Sequence, residues 1–175
     1  MIKSFLLLLI LLLSIITQVS NQGSAHISSG TFKIVNQKSK KVLGVAGSSL
    51  QDGAKVNQYQ PTGAISQRWY LYYEGIFKLH NSFSIINVNS QKALDNPGSS
   101  NQSGTKMQQF TYNAGNNQFF FFEENGDGTV MIRNIASGLW LGIEGASTAD
   151  GTALIQSGYT GDGSQKWYWV LTDPF

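Results

Sequence analysis

The 175-residue chain has no cysteine, two histidines and only 13% charged residues. With no cysteine there is neither a disulfide to staple the fold nor a thiolate for catalysis, so stability has to come from packing. His26 and His80 are not matched with a serine nucleophile and an acid, and they form no metal-ligand cluster. No metal or cofactor is expected. A formal charge of +2 is neither the basic footprint that nucleic acid requires nor an acidic tail. No pair of acids stands out for glycoside hydrolysis, so the chain is not expected to be an enzyme.

Long apolar runs are also missing, with one exception. Lys3 precedes FLLLLILLLSII, residues 5–16, and the polar stretch TQVSNQGSA follows. A basic start, a short apolar segment and small polar residues describe a secretory signal peptide within residues 1–25, cut between about Ser20 and Ala25. Twelve residues fall short of the roughly 20 needed to span a bilayer; an uncleaved signal anchor is the alternative. The remaining chain, roughly 150 residues, is long enough for one domain with its own core. It has no membrane span, carries a charge of +1 once Lys3 is removed, and is expected to be extracellular.

What the chain does have is glycine, nineteen of them, with abundant Asn, Ser and Gln, and apolar residues in short runs. This composition fits short strands joined by tight turns, an all-β domain. The strings SQRWYL (66–71), NQFFFF (117–122) and SQKWYWV (164–170) each place an aromatic two residues after a Gln. Anchored on Gln67, Gln118 and Gln165, offsets of 51 and 47 carry back along the chain without a gap. They align Ile34/Ile85/Ile132, Asn36/Asn87/Asn134, Leu43/Leu94/Leu141, Gly47/Gly98/Gly145 and Gln58/Gln109/Gln156. The chain is therefore a threefold repeat, over about 31–75, 82–125 and 129–172. Each unit reads as four short strands, and three such units suggest a closed barrel with a hairpin cap, which removes exposed sheet edges.

With three Gln-x-aromatic motifs in ungapped register, the chain resembles the ricin B-type lectin domain, a β-trefoil family also used as a carbohydrate-binding module. GASTADGTALIQ (145–156) and MQQFTYNAGNNQF (107–119) also read like that family's loop and site segments. The likeness covers about residues 30–172 and implies a β-trefoil that binds sugar. In the family, an Asp after the second strand's apolar pair, a Gln and an aromatic on the third strand, and an Asn-Gln before the fourth form the site. Vicinal hydroxyls need such carboxylate and amide partners, and the C–H face of a sugar needs an aromatic plane.

Repeat two matches every position: Asp95, Gln108, Phe110, Asn117 and Gln118, with Asn113 as a further polar contact. Phe110 departs from the family's more usual Trp or Tyr. Repeat one has Gly44 in place of the Asp and Ser66 in place of the Asn, leaving Asn57, Tyr59 and Gln67 as a weak second site. Repeat three, with Gly142, Ile155, Ser157 and Ser164, is expected to be structural. Since the motif glutamines occur in all three units, their shared role is expected to be hydrogen bonding within the fold.

The resemblance points to a carbohydrate partner, glycan or polysaccharide, and leaves the sugar and the oligomeric state open. A trefoil that has lost sugar binding and works through protein contacts, as structural protein or inhibitor, is the rival reading. Asn101-Gln102-Ser103 is an N-glycosylation sequon in a repeat-two loop, where a glycan would stand near the site. EENGDG (123–128) starts like a calcium loop, but Asn134 holds its twelfth position, so it is read as a turn. In NNQFFFF, Phe120 and Phe122 are expected in the core, Phe121 half-buried and Phe119 largely exposed. Expression in a secreting host should give a protein whose first residue, read by N-terminal sequencing, falls shortly after Ser20 to Ala25.

Overall fold

The computed structural model describes residues 30–77 and 80–172. The apolar N-terminal segment, its cleavage region and His26 lie outside the described residues. Twelve strands form: β1 (Phe32–Asn36), β2 (Val42–Val45), β3 (Val56–Tyr59), β4 (Trp69–Phe77), β5 (His80–Asn87), β6 (Ala93–Asp95), β7 (Gln108–Phe110), β8 (Phe120–Glu124), β9 (Val130–Asn134), β10 (Trp140–Ile143), β11 (Leu154–Ser157) and β12 (Trp167–Leu171). Among the described residues the only helical segments are three-residue 3-10 turns. Strands β1, β4, β5, β8, β9 and β12 pair antiparallel in a closed ring, a six-stranded barrel. The hairpins β2–β3, β6–β7 and β10–β11 cap one end, joined by bridges such as Lys55↔Gln108 and Lys106↔Ile155. This is the β-trefoil expected from the repeat.

The core is built in matching layers. Ile34, Ile85 and Ile132 are fully buried, as are Leu43, Leu94 and Leu141 from the cap, and Trp69, Phe120 and Trp167 from the fourth strands. Trp69 and Trp167 donate their indole N–H to the carbonyls of Leu43 and Leu141, both at 3.1 Å. Phe120 fills the same slot without a donor. Gly47, Gly98 and Gly145 recur because the turn after each second strand needs φ near +60°, at 61°, 61° and 60°.

Polar residues inside the barrel tie the repeats together. Asn36, Asn87 and Asn134 are fully buried. Each accepts backbone amides from the turn that follows it and donates into the preceding unit, to the carbonyls of Ser164, Ser66 and Asn117. Gln58, Gln109 and Gln156 are equally buried. Each accepts a hydroxyl from its own unit, Ser39, Ser90 or Ser137. Each then donates both N–H groups into another unit's loop: Ser147 and Ala149, Ser49 and Gln51, and Ser100 and Gln102. Every loop after a second strand is thereby shaped by another repeat.

An ion pair adds to this at each of the three junctions. Lys41 meets Asp150, and Lys92 meets Asp52 at 2.7 Å; at the third the matching places hold Leu139 and Ser103, and Lys106 pairs with Glu144 at 3.1 Å instead. Gln109→Leu keeps the shape but leaves two part-buried loop carbonyls and the Ser90 hydroxyl without their partner. It should lower the unfolding free energy by about 3 kcal/mol, read as a reduced urea midpoint at unchanged slope.

Candidate functional site

Asp95 ends β6, directly opposite Gln108 at the start of β7. Its carboxylate is buried, with 3% of the residue exposed, and among the described residues no cation pairs with it. Three side-chain amides converge on it instead. Gln108 Nε2 donates to Oδ1 at 2.9 Å, while Asn117 Nδ2 and Gln118 Nε2 donate to Oδ2 at 2.8 and 3.0 Å. A carboxylate has about four acceptor positions, so this arrangement leaves one, on Oδ1, for a hydroxyl from outside. Phe110, 38% exposed, lies opposite Ala93, which is too small to cover its ring.

Asn113 completes the rim. Its backbone N–H donates to Gln118 Oε1 at 2.9 Å and its Oδ1 accepts the Gly115 N–H at 2.9 Å. A Cβ on Gly115 would stand 2.5 Å from Asn117 Oδ1 and 2.8 Å from Asn113 Oδ1, so a side chain there would push both amides aside. The structure thus brings all six repeat-two residues, Asp95, Gln108, Phe110, Asn113, Asn117 and Gln118, into one cluster or onto its rim.

The motif glutamine does the same structural work in each unit. Gln67 accepts from the Thr62 amide and donates to Gln60 O; Gln165 accepts from the Thr160 amide and donates to Gly158 O. Gln118 does this with Asn113 and Thr111, and adds the bond to Asp95. Where the carboxylate is missing, the glutamine leans into its space. A Cβ on Gly44 would meet Gln67 Cγ at 3.0 Å, and one on Gly142 would meet Gln165 Cγ at 2.8 Å.

Repeat one nevertheless holds a cleft of about 240 Å³, lined by Gly44, Tyr59, Ser66, Gln67 and Asp150 among others. Asn57 donates to the Tyr59 hydroxyl at 3.3 Å, while its buried Oδ1 has no partner among the described residues. Asp150, from repeat three, reaches the cleft but is held by Lys41 and the Gln60 amide.

One outward row of each sheet shows what alignment by single positions misses. The rows are Tyr168–Val35–Val42–Tyr59, Tyr70–Ile86–Ala93–Phe110 and Phe121–Arg133–Trp140–Ser157. In repeat three the aromatic has moved one strand inward, from position 157 to Trp140. There it lies under the Arg133 guanidinium at 5.3 Å and 6.5 Å from the Tyr159 ring.

The phenylalanine run needs two corrections. Phe120 is fully buried and Phe121 half-buried, as expected, but Phe122 is only partly buried and packs against the core rather than in it, with Phe83 and Trp169 at 5.0 and 5.1 Å. Phe119 is half-buried rather than largely exposed, because Tyr112 covers it with ring centroids 6.5 Å apart. Burial, and then the neighbouring Glu74 carboxylate, push the Tyr112 hydroxyl well above the usual tyrosine pKa, so it stays neutral. The comparison with Arg68 and Lys166 could not reveal this cover. Of the stretch 123–128, Glu123 and Glu124 end β8 and only 125–128 form the turn, closed by Asn125 N–H donating to Thr129 O at 3.0 Å. The loop carrying exposed Asn101 is tied to repeat three through Gln156 as well as to its own unit through Asn96. Gly44→Asp does not simply restore a site: by displacing Gln67 it should destabilise the fold by roughly 1 to 3 kcal/mol, measured by chemical denaturation.

Comparison with known proteins agrees with this architecture. A family profile described as a ricin-type β-trefoil lectin domain-like domain matches residues 18–110, 76–157 and 115–173. A search of curated protein sequences returns no match. Among solved structures, the designed threefold-symmetric protein ThreeFoil is 35% identical, with TM-score 0.77, over 81% of this chain and 98% of its own. An exo-β-1,3-galactanase from Clostridium thermocellum is 33% identical, with TM-score 0.79, over 85% of this chain; the match spans 31% of the galactanase. The Macrolepiota procera ricin B-like lectin, solved with lactose, is 20% identical, with TM-score 0.66, over 85% of this chain and all of its own, a likeness of fold. With three matched repeats on a closed trefoil barrel, the chain belongs to the ricin-type β-trefoil lectin domain-like family.

Proposed function

We propose that this chain is a secreted lectin that binds carbohydrate reversibly through repeat two. The observation that carries the reading is Asp95, a buried carboxylate gathering Gln108, Asn117 and Gln118 with one acceptor position left open. Amides fix the carboxylate's orientation without neutralising it, so a sugar hydroxyl donating to Oδ1 makes a charge-assisted bond. Phe110 offers the plane for the sugar's C–H face. Gln108 and Asn117, held by Asp95, stand beside that plane to read neighbouring hydroxyls.

The N-terminal apolar segment supports secretion, and the sequon at Asn101 is an exposed acceptor for glycosylation in that setting. Repeat one, with its cleft and the unpartnered Asn57 oxygen, is a weaker second site built on Asn57, Tyr59 and Gln67. One shallow site binds weakly, so strong attachment depends on clustered ligands or on association of several chains.

A glycan array with the full secreted protein tests the reading, paired with Asp95→Ala. The variant should lose at least tenfold in affinity, about 1.4 kcal/mol, for every glycan the parent binds, while its circular dichroism stays that of the parent. An array that stays blank at several ionic strengths would favour a trefoil that acts through protein contacts.

A further inference from the structure

Beside the repeat-two site lies an aromatic surface that the sugar site does not use. The bond from Asn113 N–H to Gln118 Oε1, at 2.9 Å, fastens the loop after β7 to the start of the fourth strand. It brings the residues next to each partner together, Tyr112 onto Phe119, with centroids 6.5 Å apart and planes inclined by 38°. Tyr112 is 40% exposed and Phe119 half-buried, and Phe119 is not part of the core cluster. The surface continues onto the barrel wall. Phe120 pairs with Phe83 and Tyr72 with Ser84, so small Ser84 separates Phe119 from Tyr72, whose ring lies 5.9 Å from that of Tyr70.

Tyr159 of repeat three matches Tyr112, but at the places of Phe119 and Tyr72 the other repeats put different chemistry. Arg68 and Lys166 stand where Phe119 does and spend their charge on local contacts, with Gly63 O and Asp127. Glu123 and Val170 correspond to Tyr72. The fold therefore accepts a cation at position 119, and packing alone does not demand Phe. The Tyr112–Phe119 pair occurs only in the repeat that keeps its carboxylate, since Tyr159 of repeat three packs near Trp140 and has Lys166 at the place of Phe119, and the pair begins one residue from two of that site's members.

We infer that Asp95 and Phe110 hold one sugar of a longer chain, and that Tyr112 and Phe119 carry the next, so that the ligand is an oligosaccharide rather than a single sugar. This rests on the glycan reading of repeat two. Tyr112 and Phe119 offer apolar rings to a second sugar's C–H face, and burial of those faces adds affinity without a second carboxylate.

Calorimetry with two probe ladders tests this: galactose and xylose, each alone and as β-linked di-, tri- and tetrasaccharides. For the ladder that binds, parent affinity should rise at least tenfold from the single sugar to the trisaccharide. Phe119→Lys, which installs the residue of repeat three, should abolish that rise and leave single-sugar affinity within twofold. Tyr112→Ala, which keeps the Asn113–Gln118 bond, should act the same way, and Asp95→Ala should weaken every rung. If parent affinity does not rise with length, or if Phe119→Lys follows the parent on every rung, the extension is wrong while the Asp95 site stands. If neither ladder binds at any rung, the glycan reading and the extension fall together.

Discussion

Three buried glutamines, Gln58, Gln109 and Gln156, each accept a hydroxyl from their own repeat and donate two N–H groups to carbonyls of another. These part-buried loop carbonyls take their side-chain partner from another repeat, so each loop's shape is tied to a neighbouring unit. The buried asparagines run the same circuit at the level of the turns. Specificity of assembly comes from neutral amides, which avoid the desolvation penalty of buried charge. The ion pairs of Lys41, Lys92 and Lys106 are additions at the three junctions, the third using different positions from the first two.

The candidate site grows out of this framework. In every repeat the motif glutamine pins the loop between third and fourth strands, and in repeat two the same Nε2 also reaches Asp95. The residue that shapes the loop also orients the carboxylate. Where Asp became Gly, the glutamine keeps its structural bonds and fills the vacated space, so repeats one and three keep their shape without the carboxylate. This explains why the motif recurs regardless of whether a unit retains its site.

Aromatic residues behave less uniformly. Along the outward rows, the ring sits on the third strand in repeats one and two and on the second in repeat three, where Trp140 faces Ser157. Cross-strand neighbours share one patch of surface, so a ring can change strands without leaving its neighbourhood. Position-by-position alignment registers this as a loss at Ser157 and a gain at Trp140. Phe119 presents the related difficulty: its cover, Tyr112, comes from a loop seven residues earlier, and no property of the fourth strand announces it.

The sequence by itself determined the fold class, the threefold unit and the grouping of Asp95, Gln108, Phe110, Asn117 and Gln118. Repetition supplied the unit and marked residues common to all three as serving the shared fold, while the resemblance to ricin B-type lectin domains supplied the grouping, position by position. Identity alone did not reveal why Gln58, Gln109 and Gln156 are shared, since their partners lie in other repeats, far along the chain. Nor did it reveal that the glutamine in repeats one and three has moved into the empty carboxylate space, or that Tyr112 lies over Phe119. Those were decided by the tertiary structure, because side-chain contacts between separate strands and loops depend on register, reach and the room left by neighbours. None of these leaves a period in the sequence.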